Sequence, residues 1–364
     1  MVARQTPART RRVDVTDDHV SRAPADAPRE HFVTLFDDSF LPIGLALYQS
    51  LVARARPFCL WVVAIDEDVE RHLAQLAPPD VAVIPLSSVE SPELLAVKAG
   101  RTRAEYCWTL TPFTAKAVFD RDPSALRATY VDADLFFLAD PRILLDELDQ
   151  SGKQVLITEH AYAPEYDRSH DSGRFCVQFL TFDRSDRARA VMRWWQERCL
   201  EWCFARYENG RFGDQVYLDQ WPELFGDSVH IVRQVEKTLA PWNVRHFAQD
   251  SGTRFDPVFY HFHGLRLLPG RQARLFKFYD VGPAGLAIYD AYLAALALSY
   301  AQLSRAGIQT PLHSLPPERY GWLKTLGRRI KGTERFASIP QVGGPSDGLR
   351  AINAAQASDQ PARS

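Results

Sequence analysis

"ATYVDADLFFLADP", residues 128–141, is the stretch on which the reading of this chain turns. A run of β-branched and aromatic residues stops at Asp132 and Asp134 and then resumes. Along a strand, residues i and i+2 face the same side. If the strand ends there, both carboxylates address one site beyond the sheet edge. Hard divalent cations such as Mg²⁺ or Mn²⁺ take oxygen ligands and bridge substrate phosphates. The bland alternative is a turn or a pair of caps, where acids are frequent. The apolar flanks favour the ligand reading, because ionised carboxylates beside buried surface are costly unless paired or metal-bound.

Outward from this stretch, strands alternate with helices. "HFVTLF" (31–36) reads as a strand ending at Asp37 and Asp38, and "LPIGLALYQSLVAR" (41–54) as a helix. "CLWVVAID" (59–66) and "VAVIPLS" (81–87) are strands around the helix "EDVERHLAQLA" (67–77), and "EYCWTLTPFTAKAVFDR" (105–121) is a helix. The alternation implies βαβ units and an α/β, mostly parallel sheet covered on both faces. Such sheets bind ligands at the carboxyl ends of their strands. Asp37, Asp66 and Asp132 all fall at such ends. Beyond residue 150 come the strands "QVLITEH" (154–160) and "RFCVQFLTFD" (174–183), then a helix over 187–207 and a shorter one over 213–225. "HIVRQV" (230–235) and "FYHFHG" (259–264) are late strands, and 285–305 is an amphipathic or buried helix.

Composition bounds the answer without choosing it. A net charge of −2 over 364 residues gives no electrostatic case for nucleic acid. No apolar run reaches the ~20 residues of a membrane span, and the polar, Arg-rich start lacks a secretory core. A cytoplasmic protein is expected. Residues 1–29 and 337–364 read as disordered tails. Within "YGWLKTLGRRIKG" (320–332), apolar residues stand beside Lys324, Arg328, Arg329 and Lys331. That mixture suits peripheral contact with the inner face of a membrane through 320–331, and equally a solvated helix or partner contact. The five cysteines show no CxxC and read as buried, reduced packing residues, with Cys199 and Cys203 on one helix face.

Three further clusters carry chemistry. His261 and His263 lie two apart in a strand, so either can add a nitrogen to a metal held by carboxylates, or both simply pack. Gly213, Asp214 and Gln215 stand at a loop-to-helix junction, where Asp214 suits an N-cap and also suits sugar hydroxyls or charge at an anomeric carbon. Glu159 and His160 end one strand and Gln178 sits in the next, polar where a core is expected, as in a ligand-lined cleft. No GxSxG, P-loop or HExxH occurs, and no GxGxxG follows the first strand.

In this order, "YVDADLFF", "GDQ" and "HFHG" resemble the GT-A fold glycosyltransferases, family 8 type. "ITEHAYAPEYD", "CVQFLTF", "CLEWC", "FGDQVYLDQWP", "APWNV" and "FYHFHGL" are similar to a group of bacterial glycosyltransferases of surface polysaccharide synthesis. The resemblance spans about residues 31–280. It implies a GT-A domain over 30–282, followed by a helical extension over 283–336. By resemblance, Asp132 and Asp134 bind the metal, Mn²⁺ or Mg²⁺, and the diphosphate, and His261 or His263 completes the site, with His261 fitting the family spacing. Phe36, Asp37 and Asp66 line the nucleotide-base pocket, and Asp214 and Gln215 face the donor sugar. Lys98, Arg101 and Arg103 neutralise phosphate, or form a solvated basic turn. Two departures stand out. "HFHGLRLLPG" has no lysine where the family's HxxGxxKPW places one, and Gln178 replaces the glycine of its FNxG strand.

The implied activity transfers a hexose from a UDP- or GDP-linked donor to a saccharide or lipid-linked acceptor hydroxyl. Retention would call on Asp214 or Gln215 beside the anomeric centre. Inversion would need Glu159 or Asp214 as base. The rivals are a metal-dependent nucleotidyltransferase or phosphohydrolase, and a non-catalytic carbohydrate-binding scaffold. Neither accounts for "GDQ" together with "HFHG".

Overall fold

A computed structural model of the protein describes residues 28–250, 255–315 and 327–341. Its strands are β1 (Glu30–Phe36), β2 (Phe58–Ala64), β3 (Val81–Pro85), β4 (Arg127–Val131), β5 (Leu135–Phe137), β6 (Val155–Glu159) and β7 (Phe175–Asp183). They continue with β8 (Val229–Ile231), β9 (Thr238–Leu239), β10 (Phe259–His261), β11 (Arg266–Leu268), β12 (Gln272–Lys277) and β13 (Glu334–Ser338). The central sheet has the order β3-β2-β1-β4-β7-β6-β8, and only β7 runs against the rest. The expected α/β, mostly parallel sheet flanked by helices is the one observed. Every residue of β1 is buried, as a strand covered on both faces requires.

Strand order positions the site. From β1 the chain moves outward through β2 to β3, then returns to place β4 on the other side of β1. The carboxyl ends of β1 and β4 therefore flank a topological switch point, where such sheets open a crevice. Asp37 follows β1 and Asp132 follows β4.

A second sheet, β5-β10-β9, starts from the same place. The chain leaves β4 at Val131, turns through Asp132–Asp134, and enters β5, which pairs antiparallel with β10. The turn closes with Leu135 N–H donating to Asp132 O at 3.1 Å. The two acids thus sit in a turn between two sheets and not along one strand. The third sheet, β11-β12-β13, is antiparallel.

Several local expectations are corrected. The helix expected over 105–121 is two, Arg103–Leu110 and Thr114–Arg121, joined by a 3₁₀ turn at Thr111–Phe113. Pro112 lacks the N–H that a continuous helix would use. The helix expected to reach Tyr207 is Asp186–Glu201, because Trp202 turns extended and buries with Cys203 against the core. Over 213–225, most of the helix is 3₁₀ (Val216–Gln220), with a short α turn at Trp221–Leu224.

The helix Gly282–Arg305 is long and apolar enough to cross a membrane by length and composition, yet two thirds of its apolar window is buried inside the protein. It packs on the helix Leu41–Arg54, where Gln49 Nε2 donates to Ser299 Oγ at 3.2 Å, and Tyr292 stacks on Phe262 at 3.7 Å. Its buried face is part of the packed core. Strand β13 runs through residue 337 to Ser338, and Ile339 is buried. Residues 1–27 and 342–364 of the expected tails, and 320–326 of the expected membrane segment, lie outside the described residues.

Candidate active site

The turn between the two sheets carries Asp132 and Asp134 to the mouth of the crevice, and β10 brings His261 to meet them. Phe262 N–H donates to Asp134 O at 2.9 Å and Asp132 N–H to Gln178 O at 3.0 Å, so both ends of the turn are tied to neighbouring strands. His261 Nε2 stands 3.2 Å from Asp134 Oδ1 and 3.6 Å from Asp132 Oδ2. One ligand atom from each of the three lies within 4.8 Å of the others. Two carboxylate oxygens and an imidazole nitrogen suit a cation of the Mn²⁺ or Mg²⁺ type.

Electrostatics agree with a shared site. Burial pushes the Asp132 carboxyl up and Asp134 adds to it, against the pull of His261. Burial alone would raise Asp134 too, but the adjacent His261 outweighs it and holds Asp134 down. Burial opposes charge on His261, and the two acids more than reverse it. Tyr130 O–H donates to Asp132 Oδ1 at 2.8 Å and fixes one carboxylate face. His263 lines the cavity with its ring 5.6 Å from that of His261, and stands outside the three-ligand cluster.

The triad opens into a cavity of about 970 Å³. On the β1 side, Phe36, Asp37, Phe40, Arg103 and Trp108 line it. A Cβ at Gly44 would come within 2.6 Å of the Phe36 ring, so that ring's seat depends on a glycine in the next helix. Asp37 and Asp66 each cap the helical turn that comes after their strand. Arg103 joins them, with Nε 2.9 Å from Asp37 Oδ2 and a second bond to Asp66. Asp66 itself is not in the lining.

On the far side, Gly213 takes a left-handed φ of +54° that sends Asp214 and Gln215 into the cavity. Asp214 is buried and does not serve as a helix N-cap. Burial and the neighbouring Asp132 charge push its carboxyl well up. Gln215 Nε2 donates to Ser172 O at 2.7 Å. Beyond them stand Tyr162, Trp242 and Tyr279. Trp242 Nε1 and Asn243 Nδ2 both donate to His160 O, at 2.7 and 3.1 Å, which gives "APWNV" a local purpose.

The structure brings together Asp132, Asp134, His261, Phe36, Asp37, Arg103, Asp214 and Gln215 around one cavity. It does not bring Lys98, Arg101 or Glu159. Lys98 Nζ pairs with Glu90 at 2.7 Å, and Arg101 binds Thr109 and the Leu200 carbonyl. Glu159 accepts from Arg174 at 2.6 Å. Gln178 lies behind the triad, 1% exposed, with Oε1 2.7 Å from His261 Nδ1. Among the cysteines, Cys107 and Cys176 also line the cavity. Sequence reasoning passed over Arg266, which comes just after "HFHG" in the sequence and lines the cavity from β11.

No family model matches the chain. Two proteins of Bacillus subtilis (strain 168) are similar to it. Uncharacterized protein YfnD is 29% identical over 260 residues, covering 69% of this chain and 83% of its own length. Uncharacterized protein YfnF is 30% identical over 252 residues, covering 65% of this chain and 82% of its own length. Among solved structures, the galactosyltransferase LgtC, in complex with donor and acceptor sugar analogs, is similar at a TM-score of 0.45 and 15% identity. That match covers 79% of this chain and 98% of LgtC. The likeness to LgtC is partial, and the chemistry of the site rests on its own geometry. Identity at this level over most of the length of YfnF makes this chain a member of the YfnF family.

Proposed function

We propose that this chain is a metal-dependent glycosyltransferase that moves a sugar from a nucleoside-diphosphate donor to an acceptor hydroxyl. The acceptor is a saccharide or lipid-linked saccharide of surface polysaccharide synthesis. The observation that carries the reading is the meeting of Asp132, Asp134 and His261 at the switch point, at the mouth of a cavity large enough for donor and acceptor. Bound by these three, Mn²⁺ or Mg²⁺ would supply positive charge to the leaving diphosphate.

The chain's own groups divide the remaining work. Phe36 and Trp108 offer apolar walls for a base, and Asp37 with Arg103 offers polar contacts beside them. Arg266 takes the diphosphate. Among the described residues it is the cavity-lining guanidinium with no carboxylate partner, while Arg103, Arg168 and Arg206 each pair with an acid. A guanidinium matches phosphate oxygens two at a time. In the transfer, the C1–O bond breaks with its electron pair going to the diphosphate. The acceptor oxygen bonds C1 and passes its proton to the departing diphosphate oxygen. Asp214 and Gln215 face the donor sugar. Burial raises the Asp214 pKa, which favours a hydroxyl-binding role over that of a base. The ion pair to Arg174 counts against Glu159 as base, so inversion has no ready residue and retention is the outcome proposed.

The test is a calorimetric and turnover screen of UDP- and GDP-sugars with Mn²⁺ or Mg²⁺. Saturable, metal-dependent binding is expected, with sugar transfer and one product anomer by NMR. Arg266→Met should weaken nucleoside diphosphate binding about 10- to 100-fold, the worth of a charge-assisted pair, and leave nucleoside binding unchanged. Binding of no nucleotide sugar with either metal overturns the reading. Pyrophosphate release, or donor consumption without a glycoside product, would transfer it to the nucleotidyl or phosphohydrolase class.

We also place a membrane contact on the edge of the third sheet, at the inner membrane face. Ile330 is 77% and Phe278 52% exposed, amid Lys277, Arg329, Lys331 and Arg335. Exposed apolar groups ringed by cations suit anionic lipid. Co-sedimentation with phosphatidylglycerol vesicles should exceed that with phosphatidylcholine and fall in Ile330→Asp. Equal recovery from both vesicle types would rule the contact out.

A further inference from the structure

We propose that Gln178 is a positioning residue whose side-chain carbonyl fixes the tautomer of His261, aiming the Nε2 lone pair at Asp132 and Asp134. The inference rests on the metal reading of that triad. Which ring nitrogen of a histidine carries the proton is set by what the other nitrogen meets. Gln178 Oε1 lies 2.7 Å from His261 Nδ1. A carbonyl oxygen can only accept, so Nδ1 must carry the hydrogen. In the neutral ring, Nε2 is then a lone pair, and it is this atom that stands 3.2 and 3.6 Å from the two carboxylates.

Three further facts single out this residue. Its backbone carbonyl accepts from Asp132 N–H at 3.0 Å, so one position on β7 holds two of the three ligand arms. The amide has no competing task, because Gln178 Nε2 is buried with no hydrogen-bond partner. Its orientation is therefore governed by His261. Turned over, the amide would present N–H to Nδ1, move the ring proton to Nε2, and aim that proton at the carboxylates. Such a ring can hydrogen-bond but cannot ligate. An amide also orients the ring without adding a third negative charge beside two crowded acids. In metal sites the partner on the far nitrogen of a ligating histidine is commonly worth 10- to 100-fold in affinity.

The test is Mn²⁺ titration of the full chain, read by the electron paramagnetic resonance of the free ion, for the parent, Gln178→Met and Gln178→Glu. Methionine keeps the length and loses the acceptor. Glutamate keeps the acceptor. Gln178→Met should bind Mn²⁺ about 10- to 100-fold more weakly, and Gln178→Glu should hold at or above parental affinity. Parental affinity in Gln178→Met overturns the inference, and so does equal weakening of both variants, which would mark a packing role. Nitrogen-15 spectra of the Mg²⁺-loaded parent should place the His261 proton on Nδ1. A proton on Nε2 overturns the inference whether or not the variants fold. A parent that takes up no Mn²⁺ removes the metal site itself, a result separate from equal uptake by parent and Gln178→Met.

Discussion

Asp132→Asn should lower sugar transfer several hundred-fold while the melting temperature holds or rises. The loss follows from the several kcal/mol that a bound cation contributes to a leaving group, at tenfold per 1.4 kcal/mol. The unchanged stability follows from the geometry. The hydrogen bonds that build the turn run through backbone atoms, Asp132 N–H to Gln178 O, Leu135 N–H to Asp132 O and Phe262 N–H to Asp134 O, and survive loss of either side chain. Burial and Asp134 raise the pKa of Asp132 in the folded chain, so ionising it at neutral pH costs stability. The neutral amide of Asp132→Asn removes that cost. Thermal melts and initial rates on the same preparations settle the matter. If stability falls together with activity, Asp132 is a turn-forming acid and its ligand role is lost. Residues retained at a cost in stability mark function.

Much of the fold could be read from the chain because burial writes itself into a strand that is covered on both faces. β2 is an unbroken apolar run and β1 is apolar over most of its length, and just past each of them stands the acid that caps the next helical turn. The pair Asp132 and Asp134 was legible as a site but not as a shape. Alternation along one strand and a turn between two sheets both bring i and i+2 together, and only the pairing of β5 with β10 separates them. Gln178 was seen as a polar residue in a core strand, yet its partner is 83 residues away. No local pattern encodes a contact across that distance. Lys98 misled for the opposite reason. Its nearness in sequence to Arg103 suggested a cluster, but it ends the short helix Pro92–Lys98, where Glu90 claims it. Arg266 went unnoticed because a cation is informative only when its lack of a carboxylate partner is known, and that is a fact of three dimensions.

Glu147→Ala should destabilise the fold by about 3–5 kcal/mol, the most severe structural change foreseen for a residue outside the cavity. Glu147 lies on the helix Arg142–Ser151 and is 5% exposed. Its carboxylate accepts from His230 Nε2 at 3.0 Å, Arg233 N at 2.9 Å, Gln234 N at 3.3 Å and Gln234 Nε2 at 2.8 Å. Removing it strands the buried His230 donor and three part-buried ones at once, at about 1–3 kcal/mol for the buried donor before relaxation. Burial alone would raise the Glu147 pKa, but these hydrogen bonds outweigh it and hold the group below its usual 4.5. The folded chain therefore binds this proton less readily than the unfolded chain, and the stabilisation is complete above the ordinary glutamate pKa. It fades as pH falls from there through the lower folded value. Denaturant titrations of parent and Glu147→Ala between about pH 7 and pH 3 should accordingly converge toward the acid end. A gap that stays constant across that range would assign the loss to packing instead. The consequence reaches the site, because Arg233 and Gln234 open the segment that leads into β9, the neighbour of β10 and His261. Loosening that anchor should weaken Mn²⁺ uptake in the variant even under conditions where it remains folded.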